Sequence, residues 1–220
     1  MNRNVQGMNM FAIYGCGGFG REVLPMYLQS QNSAIDVVFV DDDQSLWGNK
    51  INGHVVCSPD QAISENRKFN IAIANPKSRK RIVEALQHKG ASFFTIAAGG
   101  ISLYDDVEIG EGSVLCAHVA VTSNIRIGTH FHANFHSYVA HDCEIGDYVT
   151  LAPHVSCGGR ISIGDGAYIG MGAVIKQGTT QERLVIGAGA VIGMGAVVTK
   201  DVPAGAVVIG NPARIMRQGA

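Results

Sequence analysis

IGEGSVLCAHVAVTSNIRIGTHFHANFHSYVAHDCEIGD, residues 109–147, carries one interval throughout: every sixth residue is small or apolar. The series runs Ile109, Leu115, Val121, Ile127, Ala133, Val139, Ile145, and continues through Leu151, Cys157, Ile163, Ile169 and Ile175. Twelve consecutive hits at one period form an internal repeat, and a hexapeptide repeat is the signature of a parallel β-helix. A second period lies on top of the first. Ile-Gly recurs every eighteen residues, at Ile109-Gly110, Ile127-Gly128, Ile145-Gly146 and Ile163-Gly164. Three hexads per coil make a triangular prism, each hexad being one short strand plus a corner. The aliphatic residue is expected to point inward, and the glycine beside it to relieve crowding where the backbone turns.

Outward from this stretch the pattern changes twice. On the C-terminal side the repeat loses register around Thr179 to Leu184 and resumes at Ile186 and Ile192, which predicts a loop protruding from one corner. On the N-terminal side, before residue 100, the rhythm is that of alternating strands and helices. Met10 to Tyr14 is a short apolar run that stops at Gly15, and Arg21 to Gln29 reads as a helix. Strands are expected at Val37–Val40, Ile71–Ala74 and Phe93–Ile96, with a helix from about Lys77 to His88. This alternation predicts a parallel sheet with helices on both sides. Ala97-Ala98-Gly99-Gly100 is the natural seam, dividing an α/β Rossmann-like half domain (1–98) from the β-helix (99–220).

Composition narrows the function classes. The 220 residues are 46% hydrophobic with a net charge of −1, so no global field recruits nucleic acid or an anionic membrane surface. Twenty-eight glycines suit a chain that turns every six residues. The five cysteines have no C-x-x-C spacing, and Cys157 occupies an inward hexad position, as a small core hydrophobe in a reducing compartment would. No apolar run reaches membrane-spanning length, and MNRNVQGMNM lacks the apolar core of a signal peptide. A cytoplasmic protein is expected.

Two motifs carry chemistry. Gly15-x-Gly17-x-x-Gly20, between a strand and a helix, fits a dinucleotide-binding fingerprint, with Asp41 about 20 residues on. Such a turn offers bare backbone N–H groups at a helix N-terminus, which suits a pyrophosphate. Asp41 or Asp42 could then accept hydrogen bonds from a ribose or a base. About 95 residues make one half of a dinucleotide fold, so a nucleoside diphosphate joined to something else fits better than NAD.

The second motif is a histidine cluster. Six of the eight histidines are His118, His130, His132, His136, His141 and His154. His141 follows an inward Val139 and precedes Asp142, so it falls at a corner beside a carboxylate that can orient it as a general base. A solvated turn histidine is the competing account. A third is zinc held by His118, His136 and His141, since His118 lies one eighteen-residue coil before His136. The γ-class carbonic anhydrases use histidine ligands of this kind on a β-helix, but have no glycine loop in front. A non-catalytic hexapeptide scaffold is a further possibility, with no need of either motif.

The runs Ile13-Tyr14-Gly15-Cys16-Gly17-Gly18-Phe19-Gly20-Arg21-Glu22, Val40-Asp41-Asp42, Ala74-Asn75-Pro76-Lys77 and Ala140-His141-Asp142-Cys143-Glu144-Ile145-Gly146-Asp147 together resemble one family. It is the sialic-acid-O-acetyltransferase-like group of bacterial nucleotide-sugar acetyltransferases, built on a left-handed β-helix, and the likeness covers nearly the whole chain. Within it, the run from Phe131 to Asp142 is most similar to the GDP-perosamine N-acetyltransferases. The resemblance implies an acetyl-CoA-dependent N-acetyltransferase, without a metal, that acts on the 4-amino group of a nucleotide-linked dideoxy sugar for surface polysaccharide (O-antigen). It implies that Gly15, Gly17, Gly18, Phe19 and Gly20 hold the nucleotide diphosphate, with Asp41, Asp42, Asn75 and Lys77 reaching ribose, base or phosphates. His141 would be the base and Asp142 its orienting partner. Asn134 and Gly159 would line the acetyl end, and the pantetheine arm would pass Met171, Gly189 and Gly195. A homotrimer with active sites between subunits is implied as well. GDP, UDP and dTDP are all compatible with these residues.

Overall fold

The computed structural model describes residues 10–31 and 35–216. Residues 1–9, most of the stretch read as lacking a leader, lie outside them. Strand β1 (Met10–Tyr14) is four-fifths buried and forms the centre of a sheet. It pairs in parallel with β2 (Asp36–Val40) and with β5 (Lys68–Ile71). Strand β4 (His54–Cys57) adds in parallel to β2, and β3 (Lys50–Ile51) folds back on β4 through Asn52-Gly53. Both turn residues have positive φ, the geometry that twisted hairpins favour. The order is β3-β4-β2-β1-β5. Helix α1 (Gly18–Gln29) covers one face, while α2 (Pro59–Ser64) and α3 (Pro76–Gln87) cover the other.

Two expectations shift here. The strand expected at 71–74 lies at 68–71, and the hairpin and α2 come in addition. The strand expected at Phe93–Ile96 divides: Phe93 bridges to Phe69, whereas Ile96–Ala97 pairs with Val114–Leu115. That second pairing makes Ile96–Ala97 the first rung of the prism. An apolar pentapeptide fits either sheet, and the partner strand decides.

The prism is a left-handed parallel β-helix with three faces. Face 1 begins with Ile96–Ala97, Val114–Leu115, His132–Ala133 and Thr150–Leu151; face 2 contains Ala120–Val121, Tyr138–Val139 and Ser156–Cys157; face 3 contains Ile125–Ile127, Glu144–Ile145 and Ile161–Ile163. Of the twelve hexad residues, all but Ile109 are buried. A second inward position lies two residues before each, as at Val119, Ile125, Phe131, Val149 and Val155. In most hexads two apolar side chains fill the triangular section, each large aliphatic one contributing about 1.5–3 kcal/mol, while Ser113 and Ser137 take the second place in theirs. The third residue after each inward one sits at the corner with left-handed backbone: His118, Asn124, His130, His136, Asp142, Tyr148, His154 and Arg160 have φ between 53° and 63°. Asn, Asp and His tolerate this region best, which explains their recurrence there.

The Ile-Gly glycines serve a different end from the one expected. A Cβ on Gly128 would meet Asp147 N at 2.7 Å and Gly146 C at 2.8 Å, so the crowding comes from the next coil, not from the turn. The register slip is a true insertion. Ile163 pairs with Ile186 where an unbroken repeat would place residue 181, so five extra residues leave the prism at the edge between faces 2 and 3.

The outer faces differ in chemistry. On face 1, Val114, His132 and Thr150 are fully buried beneath the α/β domain. Face 3 turns Glu108, Arg126 and Glu144 to solvent, with Arg126 paired to Asp106 at 2.8 Å. Face 2 turns out Ala120, Tyr138, Ser156, Val174 and Val197, with no charge among them.

One side chain locks the two halves together. Arg79 of α3 has 0% exposure and no carboxylate partner. Its guanidinium donates to the carbonyls of Ile73 and Ala74 on its own side, and to those of His130, Tyr148 and Val149 and the Thr150 hydroxyl on the prism. Burial pulls its pKa down, and these six acceptors compensate a charge that would otherwise be prohibitive there.

Candidate active site

The glycine loop is built as a phosphate cradle would be. Gly15 N donates to Val40 O at 2.7 Å, tying the loop to the end of β2. A Cβ on Gly20 would strike Gly15 O at 1.8 Å, so glycine is required for α1 to start this close to the loop. Gly17 and Gly18 have no such constraint, since a Cβ on either meets nothing within 4 Å. Gly17 is the N-cap of α1 and supplies no side-chain cap, so the first amides of the helix face open space. Phe19 turns away from that space, its ring 5.4 Å from His132 on the prism. This contact anchors the loop against the prism, with the Phe19 ring half-buried.

The acidic pair at the end of β2 is already engaged. Asp41 Oδ2 accepts from Cys16 N at 3.2 Å and Cys16 Sγ at 3.1 Å, and its Oδ1 accepts from Asp43 N. Burial raises the Asp41 pKa, but these hydrogen bonds outweigh it and hold the carboxyl below its ordinary value. Asp42 Oδ1 accepts from Tyr14 OH at 2.5 Å. Burial, then Asp42, push the Tyr14 phenol up, so it stays a proton donor. Asn75 caps α3 through Ser78 N at 3.0 Å, and Lys77 is exposed with no ion pair among the described residues. Because β1, β2 and β5 run parallel, all these residues gather at one rim, the carboxyl end of the sheet.

His141 stands on the edge between faces 2 and 3. Its Nδ1 lies 2.8 Å from Asp142 Oδ2, a placement that suits the tautomer with the proton on Nδ1 and a lone pair on Nε2. The ring lies over the next coil: a Cβ on Gly159 would meet its Nε2 and Cε1 at 2.7 Å. Gly159 N–H has no acceptor among the described residues and is free to donate outward. Asp142 occupies the left-handed corner and is braced along the edge. Asn124, one coil before, donates to Oδ1 at 3.2 Å, and Arg160, one coil after, brings Nε to 3.5 Å of Oδ2. His141 first, then Asn124, hold the Asp142 carboxyl below its ordinary pKa. The five-residue insertion folds back here. Arg183 donates to Asp142 O and pairs with Glu144 at 3.0 Å, and the insertion encloses a cavity of about 330 Å³ beside Asp142 and Arg160.

This combination of an α/β half domain and a prism with a corner His–Asp pair has close relatives. Residues 10–86 match the family model for the PglD N-terminal domain. The chain is 48% identical over 216 residues to GDP-perosamine N-acetyltransferase of Escherichia coli O157:H7, covering 96% of this chain and 98% of that one. The chain belongs to this family of sugar N-acetyltransferases. Among solved structures, WeeI from Acinetobacter baumannii AYE is 49% identical with a TM-score of 0.91, over 95% of this chain and all of that one. PerB from Caulobacter crescentus, in complex with CoA and GDP-perosamine, is 25% identical with a TM-score of 0.83, over 94% of this chain and 97% of that one. Membership of an enzyme family sets the scaffold reading aside.

The remaining expected residues divide among the three edges. Asn134, Met171 and Gly195 lie on the edge between faces 1 and 2, Gly159 with His141 on the edge between faces 2 and 3, and Gly189 on the third. A single extended arm along one chain therefore cannot follow Met171, Gly195 and Gly189 together. The zinc trio is not assembled either. His118 and His136 stack face to face at 4.9 Å on the first edge while His141 is on the second, and no group of three His, Cys, Asp or Glu among the described residues is arranged to hold a metal ion. Asn124 and Arg160 were missed, although they lie eighteen residues on either side of Asp142 and the coil period marks them.

Proposed function

We propose that the protein transfers acetyl from acetyl-CoA to the 4-amino group of a nucleotide-linked 4-amino-4,6-dideoxy sugar, GDP-perosamine, with His141 as general base. The observation that carries this reading is the His141–Asp142 pair lying over Gly159. The sugar amine attacks the thioester carbonyl, forming the C–N bond as the carbonyl electrons move to oxygen. Gly159 N–H donates to that oxyanion, and His141 Nε2 takes the proton from nitrogen. Collapse breaks the C–S bond, and CoA leaves as the thiol with the proton that His141 held. The relatives' names and the bound GDP-perosamine of the Caulobacter structure support the substrate. The reaction would take place in the cytoplasm and serve O-antigen synthesis.

The active site is completed between chains. The glycine loop packs, through Cys16 and Phe19, toward Cys116, Ala117 and Phe135 at the edge between faces 1 and 2. Asn134, Met171 and Gly195 share that edge, whereas His141 lies across the uncharged face 2. Three chains packed around face 2 would bring one chain's nucleotide edge to its neighbour's His141, which supports a homotrimer.

The test is thiol release from acetyl-CoA with GDP-perosamine, on wild type and on His141→Ala, where turnover should drop by about 10²–10⁴. A loss under tenfold removes His141 as the base. Mixing His141→Ala chains with Gly17→Glu chains, each inactive alone, should restore activity at about a quarter of the sites in trimers reassembled from equal amounts. No recovery on mixing rules out a site shared between chains.

A further inference from the structure

A repeat fold tolerates surface insertions that touch nothing, because lengthening a loop costs little. The five residues that break the coil register, 179–183, behave otherwise. Their turn is built on Thr179, whose N–H donates to Glu182 O at 2.7 Å. The Thr179 hydroxyl oxygen accepts from Glu182 N at 3.0 Å and from Gln181 N at 3.3 Å. A Cβ on Gly178 would strike Arg160 O at 2.3 Å, so the segment leaves the prism in close contact with the preceding coil. It then turns back along the edge, past Arg160, and Arg183 reaches Asp142.

Asp142 is a residue that needs holding. It sits on an open edge, in left-handed backbone, and its carboxylate orients the His141 ring only while it faces Nδ1. The insertion reaches it by two routes. Arg183 Nη1 donates to Asp142 O while Nη2 pairs with Glu144 at 3.0 Å, so the guanidinium is fixed at both ends. Arg160 Nη1 donates to Thr179 O at 3.5 Å and brings Nε to 3.5 Å of Asp142 Oδ2, which links the same segment to the carboxylate. Resting on the acetyl-transfer reading above, we propose that residues 179–183 brace the His141–Asp142 pair and that Arg183 is a positioning residue for the transfer. It acts on the ring only through Asp142, by keeping the carboxylate against Nδ1.

Kinetics and ring-nitrogen NMR spectra of the full chain test this together. In Arg183→Ala, kcat should fall about tenfold with both KM values within about twofold of wild type. Its melting temperature should stay unchanged, because the side chain is exposed. Arg183→Lys keeps one donor and should recover kcat to within about threefold of wild type. In an Asp142→Asn background, Arg183→Ala should add less than about a twofold loss, because the two residues act as a unit. The spectra read the brace without substrate. His141, assigned by its absence in His141→Ala, should be chiefly the Nδ1–H tautomer in wild type and a mixture in Arg183→Ala. Wild-type kcat and wild-type tautomer in Arg183→Ala overturn the proposal, while the transfer reading stands. Losses that multiply in the double variant overturn it as well. If wild type releases no thiol with GDP-perosamine, the transfer reading falls, and an unaltered tautomer in Arg183→Ala then removes the brace too.

Discussion

Histidines stand on all three edges of the prism, and two of those edges have opposite characters. On the edge between faces 1 and 2, His118, His136 and His154 all occupy the left-handed corner position, so their rings stack at 4.9 Å spacings with interplanar angles of 13° and 5°. Each is another's neighbour, and none has a carboxylate within ion-pair distance among the described residues. On the next edge, Asp142 takes the corner and His141 stands one residue earlier. That offset lays the imidazole along the coil axis over Gly159 and puts a carboxylate against Nδ1. One position within a six-residue period separates a surface stack from a carboxylate-paired imidazole. In a repeat fold, chemistry is specified by the phase of a residue within the repeat as much as by its type.

The comparison breaks first at Gly159. Gly159→Ala should displace the His141 ring and reduce turnover about a hundredfold with little change in melting temperature, since the backbone there is not left-handed. A fully active Gly159→Ala enzyme, checked by thiol release, means the ring does not work from this position. Asp142→Asn keeps the corner but loses the charge that orients Nδ1–H, and about tenfold lower kcat is expected. An unchanged pH–rate profile in that variant would separate the pair from the chemistry.

The buried histidines of the same run sharpen the contrast through stability. Burial, then Arg79, bring the His130 pKa down to about 4, and the same causes push His132 well below its ordinary value. Both fold as neutral rings and regain a proton on unfolding. Stability is therefore full above the unfolded pKa near 6.5 and declines as pH falls toward 4, by about 3 kcal/mol for His130. Urea midpoints at pH 7.5 and 4.5 should differ in wild type, and the gap should narrow in His130→Asn, a residue that also accepts the left-handed corner, with His132 keeping its own share of the acid sensitivity. The smallest effect belongs to the stack: His136→Ala should leave kcat within about threefold, because no carboxylate orients its ring. A hundredfold loss would place the base on the wrong edge.

The prism was legible in the sequence because its period is rigid: eleven of twelve inward residues are buried where the spacing put them. The second inward position was not read, since residues as unlike as Ser137, Phe131 and Ala167 occupy it and no single chemistry recurs. In the α/β domain, the strand expected at 71–74 lies three residues earlier because an apolar run does not say where pairing begins. The hairpin had a signal in Asn52-Gly53, and α2 in Ser58-Pro59, whose serine caps the helix at 3.1 Å. In the site, His141, Asp142 and Gly159 form a single cluster, whereas Asn134, Met171 and Gly195 lie a face away. Period alone could not reveal this, because assigning a residue to an edge requires counting hexads modulo three. Arg79 left no trace at all: its partners are backbone carbonyls, which any sequence supplies.

That silent arginine fixes how the two halves of the molecule sit against each other. Six hydrogen bonds from one buried guanidinium weld the nucleotide rim to the coils, so the span from the glycine loop to the prism edge is set at folding. A molecule built this way works as a caliper with fixed jaws. On the proposed reading it would measure the length between a diphosphate and an amine, and reject by reach: a sugar one ring longer would overshoot, and a sugar phosphate without its nucleoside would have nothing to hang from.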